Sequence, residues 1–235
     1  MRLVVACLLP CTLLSGCGQG PTPESLRARH LEARGGVAAL QAMKVIEREG
    51  TITFHADAAA HGSYHTCIRY PDRVAIDIDA GPVQVHQVLG DHDALECTAD
   101  FSRCRFAGPE LKQELTLTAQ QANREELDEH LPADGSVELI RKDGVVVGYR
   151  YGSGDHAKAS QFAPDTGLKT VVISGNRERH YADWKDAGGV LFPMTIDDYD
   201  AGEKAITVSL TRATLGDKPS DWCQSRFGAA PAYSP

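Results

Sequence analysis

The stretch Val74-Ala75-Ile76-Asp77-Ile78-Asp79 decides the fold class. Val74, Ile76 and Ile78 alternate strictly with Ala75, Asp77 and Asp79. A strand here puts three large apolar side chains on one face and the carboxylates on the other. Such a strand has a core on one side only, as in an antiparallel sheet with one solvated face. Gly81-Pro82 then turns the chain into Val83 and Val85, where the alternation resumes.

The same period extends outward in both directions. Upstream, Ile52 and Phe54 oppose Thr51 and Thr53, and Tyr64, Thr66 and Ile68 form a further face. Downstream, residues 95–106 read as a hairpin, and Asp143-Gly144 is a tight-turn signal between residues 137–140 and 145–151. Residues 158–162 and 168–174 flank Pro164-Asp165-Thr166-Gly167, and segments 179–184, 193–199 and 205–212 complete the run. That makes about ten or eleven strands with mostly short connections, a mainly β (α+β) chain in one domain whose consecutive hairpins build a curved antiparallel sheet or barrel. Two segments depart from it. Pro23-Glu24-Ser25 starts an N-terminal helix that Gly35-Gly36 interrupts before Val37 and Leu40, and residues 119–130 read as a helical insert.

The start of the chain has a different character. Met1-Arg2 is a short basic tip, residues 3–14 are apolar, and Leu14-Ser15-Gly16-Cys17 follows. This is a secretory leader, and its last four residues resemble the lipobox of bacterial lipoproteins. By that resemblance residues 1–16 are removed and Cys17 becomes a lipidated first residue, anchored by more than one acyl chain. Residues 17–24 are then a tether, 25–228 the domain and 229–235 a flexible tail. Gly18 after the cysteine, by the enteric sorting rule, implies an outer-membrane protein facing the periplasm.

Seven cysteines are present; Cys7 and Cys11 leave with the leader and Cys17 is spent on lipid. Cys67, Cys97, Cys104 and Cys223 remain, an even number in an exported chain. Cys97 and Cys104 bracket a turn-like insert and pair as a hairpin staple, which leaves Cys67 for Cys223. A zinc site, the competing reading, lacks any CxxC pair. Composition narrows the function further. The 235 residues are 42% hydrophobic, which excludes a disordered chain, and Lys+Arg 24 against Asp+Glu 32 gives −8. An acidic chain of this kind is a poor partner for nucleic acid.

Three stretches are similar to periplasmic proteins related to the lipoprotein carriers LolA and LolB. They are residues 33–43 with Glu49-Gly50-Thr51-Ile52, then Asp165-Thr166-Gly167-Leu168, then Gly188-Gly189-Val190-Leu191-Phe192-Pro193-Met194-Thr195-Ile196. The resemblance implies an incomplete antiparallel β-barrel, helices covering its open side, and an apolar cavity that takes an acyl chain or a lipoprotein. Alternation makes Phe54, Ile68, Val74, Ile76, Val83, Val85, Val171, Ile173, Ile196, Ile206 and Val208 the candidate cavity residues. For each of them, ordinary core packing is the competing reading.

Motifs for chemistry are weak. His61 and His65 are spaced i, i+4 but lie beside a strand and lack a following Glu. Asp91-His92-Asp93 and Asp197-Asp198-Tyr199-Asp200 read as wet turns, Arg177-Glu178-Arg179-His180 as a solvated charge cluster, and Gly152-Ser153-Gly154-Asp155-His156 as a hairpin turn without a nucleophile elbow. The expectation is a non-enzymatic, lipid-anchored protein with no catalytic residues, metal or cofactor. Its partners are the membrane, an acyl chain or lipoprotein, and an envelope protein. The alternative is a tethered interaction module whose barrel is filled by its own side chains.

Overall fold

The computed structural model describes residues 20–55, 60–90, 93–121, 127, 131–132 and 136–228. The leader, Cys17, the tail and most of the expected helical insert lie outside the described residues.

Among the described residues thirteen strands form a single sheet. They are β1 Val45–Phe54, β2 Ala60–Arg69, β3 Arg73–Ala80, β4 Val83–Leu89, β5 Ala94–Cys97, β6 Cys104–Phe106, β7 Glu138–Lys142, β8 Val145–Tyr151, β9 Lys158–Phe162, β10 Lys169–Ser174, β11 Arg177–Asp186, β12 Leu191–Asp200 and β13 Glu203–Gly216. The order is β6-β5-β4-β3-β2-β1-β13-β12-β11-β10-β9-β8-β7. Two meanders, β1 to β6 and β7 to β13, are thus joined by antiparallel pairing of β1 with β13. β6 and β7 remain at opposite edges, so the barrel is open, as the family resemblance implied. The count exceeds the expected ten or eleven, residues 95–106 supplying two very short strands, β5 and β6.

Glycines let the sheet curl. A Cβ on Gly50 would meet the Ser209 carbonyl oxygen and stand 2.7 Å from the Leu210 Cα, beside the register shift between Glu49 and Gly50. One on Gly62 would meet the Asp79 carbonyl oxygen and the Ala80 Cα. Such close backbone approach, with a bulge, is how a sheet coils toward a barrel.

Register sorts the two faces, because directly opposed residues share a side of the sheet, and the face that α1 to α3 cover is the inner, concave face of the half-barrel. Leu215, Ile46, Ile68, Val74, Leu89 and Ala94 lie in one row, and Val208, Ile52 and Gly62 in another. Helix α1, Pro23–Ala33, opens with Thr22 and Ser25 exchanging capping hydrogen bonds of 3.1 and 2.8 Å. Helix α2, Val37–Ala42, follows after Gly35 and Gly36, both at positive φ. Leu31, Leu40 and Met43 from this region pack on Ile46, Ile52, Val190, Phe192, Met194, Val208 and Leu210. Helix α3, Pro109–Gln121, covers the same face farther along, with Leu115 and Ala119 on Ile68, Val74 and Leu89. The insert therefore starts earlier than residues 119–130 suggested; Pro109 and Glu110 open its first turn.

Helix α4, Asp221–Phe227, packs on the convex face and was not anticipated. Cys223 is bonded to Cys67 with Cα atoms 5.8 Å apart, and Phe227 joins Val45, Ala75, Val88 and Phe101. Trp222 stacks on His65 at 3.5 Å between ring centroids, and His65 Nε2 lies 2.8 Å from the buried Glu47 carboxylate. Cys97 and Cys104 close the β5–β6 hairpin. Among the described residues no helix is long and apolar enough to cross a membrane, which says nothing of strands.

Candidate functional site

The concave face is sealed at one end and only partly covered at the other, where Ala60 and Ala80 are still buried among partly buried neighbours. Beneath α1 and α2 its side chains are buried: Ile46 and Ile52 are 3% and 4% exposed. Away from α1 and α2 the same face continues through Phe54, Tyr64, Ile76, Val83, Val85, Ile196 and Ile206, all only partly buried and all packed against that core, Ile76 beside α3 as well. Phe54 opposes Ile206, Tyr64 opposes Ile78, and Ile78 opposes Val85, so these residues make one continuous apolar surface. Leu127 packs on it as well, its carbonyl accepting from Arg27 Nη2 at 2.6 Å.

Nine of the eleven sequence-derived cavity candidates share this face: Phe54, Ile68, Val74, Ile76, Val83, Val85, Ile196, Ile206 and Val208. Ile68 and Val74 are sealed beneath α3 and Val208 is 8% exposed, so these three are core. Val171 and Ile173 require correction. Their partners His180 and Glu178 pair onward with Asp197 and Tyr199, and Asp197 opposes Thr207, itself opposite Thr53. That chain of pairs is the convex face. Val171, Val172 and Ile173 are consecutive apolar residues, so alternation cannot choose their phase, and the register shift between Lys169 and Val171 fixes it.

One concave residue escaped sequence reasoning. Arg48 lies between Ile46 and Gly50 on the apolar phase of β1, opposite Ala213 on one side and Thr66 on the other. Its Nε donates to Thr66 Oγ1 at 3.0 Å, and its guanidinium carbon sits 5.8 Å from the centre of the Tyr64 ring. Gly50 opposes Tyr64 and brings no side chain to that contact. Thr66 Oγ1 in turn donates to the Tyr64 hydroxyl at 3.4 Å. Among the described residues no carboxylate pairs with Arg48. The available signal was parity: counting back from Ile52 by twos reaches a charge where an apolar residue belongs.

The remaining motifs are dispersed. His61 Nδ1 lies 2.9 Å from Thr53 Oγ1, whereas His65 belongs to the Glu47 and Trp222 contact. Asp197 and Asp198 face opposite sides of β12, the first bound to Lys204 at 2.9 Å and the second to Arg179 at 2.6 Å. Burial pushes the Asp197 carboxyl up, but hydrogen bonds from Thr207 and Lys204 outweigh it and hold the group below its usual range. Asp200 accepts from Asn176, and Asp93 pairs with Lys112. Asp91 and His92 lie outside the described residues. Residues 154–156 form a single 3-10 turn with Ser153 and His156 exposed. Among the described residues no group of three or more His, Cys, Asp or Glu could hold a metal ion.

Two clefts open elsewhere on the surface. One of about 460 Å³ runs between the unpaired edge of β4 at Gln84–His86 and the stapled hairpin. The other, about 430 Å³, lies between α1, the start of β8 and the β9–β10 turn, lined by Leu26, Arg29, Val146, Phe162 and Pro164.

No family model matches the sequence, and no curated protein matches it. Solved structures do. A DUF1329 family protein from Desulfovibrio piger aligns over 86% of this chain and 96% of its own, at 11% identity and a TM-score of 0.53. A LolA superfamily protein from Nitrosomonas europaea aligns over 85% and 96%, at 14% identity and a TM-score of 0.47. The likeness is one of fold: the chain folds as an open antiparallel half-barrel like that of the DUF1329 protein, and a LolA superfamily protein is among its structural neighbours.

Proposed function

We propose that this chain is an envelope lipoprotein, anchored through Cys17 to the outer membrane, that shelters an acyl chain or the lipidated end of a lipoprotein on its concave face without catalysis. The observation that carries this reading is the partly exposed apolar surface of Phe54, Val83, Val85, Ile196 and Ile206, continuous with the core yet not sealed by α1 to α3. Leaving such a surface wet is costly, at about 25 cal/mol per Å² of apolar area, and an acyl chain gains about 0.8 kcal/mol for each methylene it buries there. A role in lipoprotein localisation follows from the LolA and LolB resemblance of the sequence.

The packed end of the same face favours a second reading, an interaction module filled by its own side chains. One experiment separates the two. A Cys17→Ala chain, exported to the periplasm, is purified without detergent, extracted with organic solvent and examined by mass spectrometry. Acyl lipid near one equivalent per chain supports the carrier. A chain that is empty, and stays empty after incubation with phospholipid vesicles, contradicts it and leaves the interaction module.

A further inference from the structure

We propose that the concave face is built for a single-chain amphiphile with an anionic head, a fatty-acid carboxylate or a phosphate monoester, and that Arg48 receives that head. The inference rests on the acyl-binding reading above and specifies its ligand. A guanidinium is expensive to place among apolar groups unless something anionic repays its desolvation. Here it stands on the apolar phase of β1, partly buried, with Thr66 and Tyr64 as neutral polar neighbours. Its nearest carboxylates on β1, Glu47 and Glu49, project to the convex side, where they meet His65 and Arg212. Nε is occupied by Thr66, and the terminal nitrogens keep the fork geometry that suits a carboxylate or phosphate.

The apolar surface runs away from this cation in the direction an attached chain needs. Arg48 and Phe54 are both on the concave face, six residues apart, which is about 20 Å along a strand. Tyr64 and Val85, both partly buried, line one flank of that path and Ile206 stands opposite Phe54 at its far end, while Ile52, Ile78 and Val208 between them are buried. The Tyr64 hydroxyl, which accepts from Thr66, keeps its own hydrogen to donate to the head. A neutral head placed there would leave the guanidinium without an ionic partner, so the face discriminates by charge as well as by chain.

The test is displacement of the neutral apolar dye N-phenyl-1-naphthylamine from the Cys17→Ala chain at pH 8, by laurate, 1-dodecanol or lauroyl lysophosphatidic acid. Wild-type Arg48 is expected to bind at least one anionic amphiphile about tenfold or more tighter than dodecanol, the scale of a charged hydrogen-bonded contact. R48Q should bring the three together by weakening only the anions, and R48K should keep most of the preference. The tighter of the two anions identifies the head. Equal displacement by all three from both wild type and R48Q overturns the assignment to Arg48 while leaving acyl binding intact. Failure of every amphiphile to displace the dye overturns the acyl reading, and this inference with it.

Discussion

Gly35 and Gly189 touch backbone to backbone: a Cβ on Gly35 would lie 2.5 Å from the Gly189 carbonyl oxygen. The contact seats the α1–α2 junction on the turn between β11 and β12, where Leu191 N also donates to the Arg34 carbonyl at 2.9 Å and Arg34 Nε to the Leu191 carbonyl at 3.1 Å. The other side of α1 is held at residues 165–169. Arg29 Nη2 donates to the Asp165 carbonyl at 2.9 Å, and Lys169 N to His30 Nδ1 at 3.1 Å. The three short motifs that carry the sequence resemblance therefore meet around one helix, the one that closes the packed end of the concave face.

Gly35→Ala is expected to destabilise the fold by about 2–4 kcal/mol, since Gly35 has φ of +120° and no room for a Cβ. Gly108→Ala is the control: nothing lies within 4 Å of its Cβ position and its φ is not left-handed, so its effect should stay within about 0.5 kcal/mol. Urea unfolding of both variants checks this. Equal stability would show that the α1–α2 junction is not held against the β11–β12 turn.

Removing both Cys67 and Cys223 by substitution with Ala should cost about 4–5 kcal/mol. The bond closes a loop of sequence separation 156, and longer loops restrict the unfolded chain more. Since Cys67 and α4 are on the convex face and Ile68 on the concave one, acyl binding should survive in the folded fraction. Reducing and non-reducing denaturation curves, with dye binding in parallel, test both halves. Loss of binding at full folding would contradict the separation of the faces.

Asp100 should titrate at about 2, below its ordinary 3.8, because its carboxylate accepts from the Thr98 hydroxyl at 2.6 Å and from Ser102 N and Oγ at 3.0 and 2.8 Å. A depressed pKa in the folded state means the turn's contribution is complete above the unfolded value near 4 and is lost as pH falls through about 2. Carboxyl ¹³C chemical shifts between pH 1.5 and 6 report the midpoint. Thr98→Val should raise it; an Asp100 midpoint near 3.8 in the unaltered chain would show that the turn hydrogen bonds do not form in solution.

Much of this architecture is legible locally, and what is not has physical causes. Strict alternation at Val74–Asp79 and the turns at Asp143-Gly144 and Ala201-Gly202, all four at positive φ, suffice for the hairpins. Pairing of β1 with β13 has no local signature, because it is decided by which long-range closure buries the two apolar faces together. Helix α4 is seven residues long, too short for a period, and its only signs are the Ser220 cap and the clustering of Trp222, Cys223 and Phe227. Alternation fails at Val171 and Ile173 because a run of apolar residues carries no phase, whereas the phase of β1 itself places Arg48 among apolar positions. The partly open end of the concave face depends on where α3 and Leu127 come to rest, which follows from tertiary packing.

The most direct measurement is photocrosslinking of the Cys17→Ala chain with a diazirine-bearing long-chain fatty acid, followed by peptide mapping. Labels are expected on Phe54, Val83, Val85, Ile196 and Ile206, the partly exposed residues of the concave face, and to fall when unlabelled fatty acid competes. Labelling confined to Val171, Ile173 and their convex neighbours, or spread without competition, would contradict the assignment of the concave face as the acyl-binding surface.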